Sequence, residues 1–80
     1  MAVDWRSHIT TDPAILVGKP TIRGLRISVE HMLRALSNGV PESELLADYP
    51  DLTPDDLRAC QAYAAEMISS ERVYPIAVGA

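Results

Sequence analysis

The stretch Thr53-Pro54-Asp55-Asp56-Leu57 limits the fold of this 80-residue chain more than any other. Thr53 is a natural N-cap, Pro54 suits the first helical position, and Asp56 falls where a capping box wants an acid. A helix is therefore expected to start here and run over 54–70, roughly 25 Å at 1.5 Å per residue. Upstream, residues 41–48 make a shorter helix that Tyr49-Pro50-Asp51 breaks. Helix, short turn, helix is the arrangement with which many DNA-binding proteins enter the major groove. The charge conflicts with that shape, because the second helix opens on two aspartates where it would meet phosphates.

A further helix is expected over 28–38. Ser28 caps it, Val29, Met32, Leu33 and Leu36 recur at helical spacing, and Asn38-Gly39 ends it with a glycine suited to a left-handed backbone. Leu45 and Leu46 offer themselves to the same core, as do Leu57, Cys60, Ala64 and Met67 or Ile68 from the third helix. Residues 1–13 read as a loosely held arm that Ile9 and Trp5 can pin to the body. Ala14-Ile15-Leu16-Val17 has strand character, Gly18-Lys19-Pro20 turns the chain, and Thr21-Ile22-Arg23 resumes an extended path. Pro20 cannot donate to a ladder, so an irregular hairpin or edge element is expected. The single domain thus spans 14–71, mainly α with a small β element: three helices preceded by an irregular β-hairpin. Residues 72–80 follow as an apolar C-terminal tail, β-prone from Val73 to Val78, with Pro75 blocking helix continuation.

So short a chain holds one thin core, and dimerisation is expected, with residues 14–27 offering strand edges. One cysteine excludes an internal disulfide framework. No apolar run is long enough to span a membrane and the N-terminal residues lack a signal-peptide core, so a cytoplasmic protein without membrane contact is expected. The net charge of −4 is unevenly spread: residues 1–40 hold five of the seven cations against three acids, and residues 41–80 hold two cations against eight. Nucleic acid would meet the first half and a basic protein partner the second, unless both are simply solvated faces.

No catalytic constellation emerges, and neither an enzyme nor a cofactor is expected. His8 and His31 lie in different elements without a spaced Cys or His partner for zinc. Cys60 follows the apolar stripe as a small core residue. The dense carboxylates lack calcium-loop spacing, and capping explains Asp55 and Asp56. For DNA, the outward face of the third helix would carry Asp55, Arg58, Ala59 and Ala62, with Gln61 at its margin. Arg58 could take guanine and Gln61 adenine by two-pronged hydrogen bonds. Lys19, Arg23, Arg26 and Arg34 could form a basic surface shared by two subunits.

Residues 9–65 resemble the family catalogued as domain of unknown function 433. The resemblance rests on Gly18-Lys19-Pro20-Thr21-Ile22-Arg23-Gly24, Arg26-Ile27, Val29, Gly39, Glu44-Leu45-Leu46, Asp48-Tyr49-Pro50, Leu52-Thr53, Asp56-Leu57 and Ala62-Tyr63-Ala64-Ala65. Leu25 stands where the pattern has threonine, and Ser28 where proline is common. The resemblance implies a homeodomain-like helix-turn-helix with a β element that can mediate dimerisation. It also implies the antitoxin half of a toxin–antitoxin pair, whose usual partner is a PIN-like nuclease toxin encoded alongside. On that expectation Arg72, Val73, Tyr74, Ile76 and Val78 of the tail contact the toxin, by strand addition or in a groove. The alternative is a DNA-binding regulator without a toxin, acting on operator DNA. A third option is an interaction module with neither activity.

Overall fold

The computed structural model describes residues 3–70, which form a two-stranded antiparallel hairpin followed by three helices. The strands are β1 (Ile9–Thr11) and β2 (Pro20–Ile22); the helices are α1 (Val29–Ser37), α2 (Glu42–Asp48) and α3 (Pro54–Ser70). The hairpin pairs Ile9 with Ile22, Thr10 with Thr21 and Thr11 with Pro20. Ile9 and Ile22 are both buried, so one directly opposed pair anchors the hairpin to the core, and Pro20 sits at a strand start where its missing donor costs no ladder bond. The chain then turns at Arg23-Gly24: the Leu25 N–H donates to the Ile22 carbonyl (2.9 Å), and Gly24 takes the positive φ of 74° that the turn requires.

The first strand is not where the apolar run lies. Residues 14–17 form part of a loop instead, and β1 falls five residues earlier, in the segment read as an arm. Asp12 explains the difference. Its side chain captures the Ala14 N–H (2.9 Å) and its carbonyl accepts from Ile15 (2.8 Å), which removes donors that a ladder would need. The loop closes through three successive left-handed residues, Leu16, Val17 and Gly18, and leaves Val17 93% exposed. Trp5 and Ile9 do pin the N-terminal residues: Ile9 is buried, and Trp5, in a short 3-10 turn (Trp5–Ser7), meets Tyr63 edge-on with ring centroids 5.0 Å apart.

The helix boundaries follow local chemistry. The Ser28 hydroxyl oxygen accepts from the His31 N–H at 3.0 Å. At the far end of α1, Gly39 adopts φ +87°, its N–H bonds the Leu36 carbonyl (3.0 Å), and the Val40 N–H bonds the Ala35 carbonyl (3.1 Å). That pair of bonds is a Schellman motif. At the start of α3 the capping box closes in both directions. The Asp56 N–H donates to the Thr53 hydroxyl (3.2 Å), and the Thr53 N–H donates to the Asp56 carboxylate (3.0 Å).

The buried core comprises Ile9, Ile22, Val29, Met32, Leu45, Leu52, Leu57, Ala59 and Cys60. Two expectations for α3 are corrected here. Ala59, assigned to the outward face, is entirely buried, because the N-terminal segment lies along that flank of the helix between Asp56 and Tyr63. Met67 and Ile68, assigned to the buried side, are 39% and 64% exposed, because α3 outruns the body it packs against. Leu57 and Cys60 are buried as expected, and Ala64 is half-buried.

Candidate functional site

Three surfaces of α3 differ in chemistry. The first faces the N-terminal segment. There Asp56 Oδ1 lies 2.8 Å from His8 Nδ1, with the Asp56 side chain only 4% exposed and His8 18%. Burial works to raise the Asp56 pKa, but the hydrogen bonds from His8 and Thr53 outweigh it and hold the carboxyl below its ordinary value. This pair joins residues 48 apart and escaped the sequence reading. No periodicity links them, and a capping-box acid carries no sign that a distant imidazole shares it. The same burial, together with the Asp56 charge, pushes the Cys60 thiol up to about 12. Cys60 is therefore no thiolate nucleophile at neutral pH.

The second region is the exposed surface of α2, the turn at 49–53 and the start of α3. Glu42, Glu44, Asp48, Asp51 and Asp55 are all exposed there. Arg58 is exposed too, with its guanidinium 3.9 Å from Asp55. Gln61 is exposed one turn further on, and Ala62 is half-buried.

The third surface is an open groove of about 510 Å³ between α1 and the far half of α3. Pro20, Val29, Leu33, Tyr63, Ala64, Met67 and Ile68 line it, with Glu30, Arg34 and Ser37 at its rim. Glu30 gathers two of the predicted DNA-contacting cations: Arg34 at 2.9 Å and Lys19 at 3.2 Å. The Arg34 hydrogen bond, then that of Lys19, lowers the Glu30 pKa. Arg26 lines a separate cavity with Ser28, His31 and Tyr49, and the His31 ring nitrogen lies 3.2 Å from the Tyr49 hydroxyl. Lys19 and Arg34 are thus brought together at Glu30, with Arg34 in the last turn of α1. Arg23 is drawn elsewhere, its Nε donating to the Ser7 carbonyl at 3.0 Å. Among the described residues no hydrogen bond or ion pair joins Arg58 or Gln61 to that group. Arg72, Val73, Tyr74, Ile76 and Val78 lie outside the described residues.

Among the described residues no group of three His, Cys, Asp or Glu side chains could hold a metal ion, and no helix is long and apolar enough to cross a membrane. The family profile described as a protein of unknown function (DUF433) matches residues 9–64. The fold is similar to the 2.00 Å crystal structure of a DUF433 member protein from Anabaena variabilis ATCC 29413, at 36% sequence identity and a TM-score of 0.72. That alignment covers 76% of this chain but 60% of the other, so the chain spans well under the full length of its solved relative. Among curated proteins none matches significantly. The profile match takes in both strands, α1, α2 and the buried half of α3, and the chain belongs to the DUF433 family, whose function is unknown.

Proposed function

We propose that this chain is an antitoxin that acts in the cytoplasm, binding and neutralising a PIN-like nuclease toxin encoded beside it. The observation that carries this reading is the charge of the unit formed by α2, the turn and the start of α3. It exposes Glu42, Glu44, Asp48, Asp51 and Asp55 against one cation, Arg58. A nuclease of that type holds a metal in a carboxylate pocket beside a basic substrate channel. An acidic surface laid over such a channel shares the charge of the nucleic acid it displaces, and the opposite charges steer the encounter. The tail candidates Arg72, Val73, Tyr74, Ile76 and Val78 would add to that contact, Arg72 by reaching active-site carboxylates and the apolar positions by docking.

The test is co-expression with the adjacent open reading frame, read by growth rescue and co-purification. The wild-type chain is expected to restore growth and form a stable complex. Reversing Glu44, Asp48 and Asp51 to lysine, all at exposed positions, is expected to weaken the complex at least about tenfold, most strongly at low salt. Deleting residues 72–80 is expected to weaken it as well. No complex and no rescue would sink the antitoxin reading; unchanged binding after the deletion would remove the tail from it.

A second reading, an operator-binding regulator with a homeodomain-like helix-turn-helix, is favoured by one observation: Arg58 and Gln61 are both exposed one turn apart on α3. Against it stand the surrounding carboxylates and the engagement of Lys19 and Arg34 with Glu30. Arg58→Ala separates the two, since it should weaken operator binding by about 1–3 kcal/mol while sparing neutralisation. A basic toxin could supply the missing positive charge, so both activities can reside in one complex.

A further inference from the structure

We infer that the groove between α1 and α3 is the interface between two copies of this chain, each seating the exposed end of its α3 on the other. The inference stands apart from the antitoxin reading, because it needs no nuclease. It starts from one stripe of α3. Leu57, Cys60, Ala64 and Ile68 succeed each other at three- and four-residue spacing and therefore lie on one side of the helix. Leu57 and Cys60 are fully buried, Ala64 is half-buried, and Ile68 is 64% exposed. The core-forming side of α3 thus runs off the end of the domain with its apolar character intact. Facing it across the groove are Val29 and Leu33 of α1, one turn apart.

Charge selects the second copy as the occupant. Two chains of net charge −4 repel wherever their carboxylates meet. Exposed carboxylates dominate α2, the turn and the start of α3. The groove's rim differs: its acid Glu30 is bridged by both Lys19 and Arg34, one carboxylate against two cations. Like-charged copies can therefore approach here without acid meeting acid, while a basic partner is drawn instead to the carboxylate surface. Ile68, 64% exposed, lines the same groove as Leu33, Tyr63 and Ala64, so a two-fold axis through the groove would set the exposed Ile68 of each copy against the apolar lining of the other. Small Ala64 lets two helices approach to about 8–10 Å. The sequence pointed for dimerisation to the strand edges of residues 14–27, whereas among the described residues the exposed apolar stripe used here lies on α3.

Sedimentation velocity of the full chain from about 1 to about 100 µM tests this, with Ile68→Glu as the principal variant and Arg58→Glu as a control of equal charge change elsewhere. The expected result is a species of twice the chain mass for wild type and Arg58→Glu, and a dissociation constant raised at least about tenfold by Ile68→Glu. Position 68 is exposed, so the variant should melt as a folded monomer by circular dichroism. Ile68→Ala, which adds no charge, should shift the constant the same way by less. A wild-type monomer at the highest concentration overturns the inference. If that monomer dimerises only after removal of residues 71–80, the groove belongs to the chain's own C-terminal segment. If it binds the nuclease and Ile68→Glu abolishes that complex, the groove belongs to the nuclease. A dimer indifferent to both Ile68 variants overturns it equally and moves the interface elsewhere.

Discussion

Asp56 is the side chain whose removal should cost this fold most for its size. Its carboxylate accepts from the Thr53 N–H at 3.0 Å, stands 2.8 Å from His8 Nδ1, and is 4% exposed. Replacement by alanine breaks the capping box, worth about 1 kcal/mol. It leaves His8 without its carboxylate in a mostly buried position, about 1–2 kcal/mol. It also removes a negative charge from the first turn of α3, about 0.5 kcal/mol. The loss comes to about 2–4 kcal/mol, which in a domain this small lowers the melting temperature by about 10–25 °C. Urea and thermal unfolding followed by circular dichroism, with His8→Ala and the double variant, would close a cycle whose coupling should be about 1 kcal/mol. The pH dependence follows from the direction of the Asp56 shift, which is downward. A carboxyl with a depressed folded pKa stabilises the fold above the unfolded value of about 3.9 and loses that contribution as pH falls through the folded pKa. The wild-type and Asp56→Ala stabilities should therefore differ most near neutrality and converge in acid. A neutral-pH difference under about 0.5 kcal/mol, or a gap unchanged between pH 7 and pH 3, would refute the reasoning.

Three further outcomes are expected. Val17→Asn should raise stability by about 0.5–1 kcal/mol in the same unfolding assay, since a β-branched residue at φ 58° is strained and its side chain is 93% exposed. Gly39→Ala should lower stability by about 1 kcal/mol, because the Schellman turn holds φ at +87°; the surroundings have space for the methyl group, so any loss reports backbone strain rather than a clash. Cys60 should resist an aromatic disulfide reagent at pH 8 and react only as fast as the chain opens, given its burial and a thiol pushed up to about 12. Rapid labelling of the folded protein would contradict that assignment.

What was legible in the sequence was local. Thr53, Asp56, Ser28 and Gly39 act within four residues of themselves, and each makes the hydrogen bond or adopts the backbone its position called for. The strand at Ile9–Thr11 was not legible, because an apolar run of four residues carries no alternation and the Asp12 side chain competes silently for its backbone. Ala59 was misplaced for a tertiary reason. Helical periodicity locates one buried side of α3, whereas the chain folds its N-terminal segment over a second flank. The spacing of that contact is visible only afterwards: Asp56 and Tyr63 are seven residues apart, two turns of helix, and they meet His8 and Trp5 respectively.

This second covered flank changes what α3 can offer. Three exposed sides would have left a helix free to enter a DNA groove; with Asp56, Ala59 and Tyr63 committed to the N-terminal segment and Leu57 and Cys60 to the core, the described residues leave the side bearing Asp55, Arg58 and Gln61 exposed near the helix start. On that side Arg58 already lies 3.9 Å from Asp55, an exposed pair worth little to stability but enough to lower the guanidinium's pull on a phosphate. The far half of α3 carries a different chemistry, apolar and flanked by a rim whose charges are internally paired. The two halves therefore differ in chemistry: an acidic end, which the proposed function assigns to a basic partner, and an apolar end, which the proposed dimer assigns to a second copy. Substitutions at Glu44, Asp48 and Asp51 should act on the first without touching the second, and Ile68→Glu should do the reverse. A chain in which both sets of changes impaired the same complex equally would have one continuous interface rather than two.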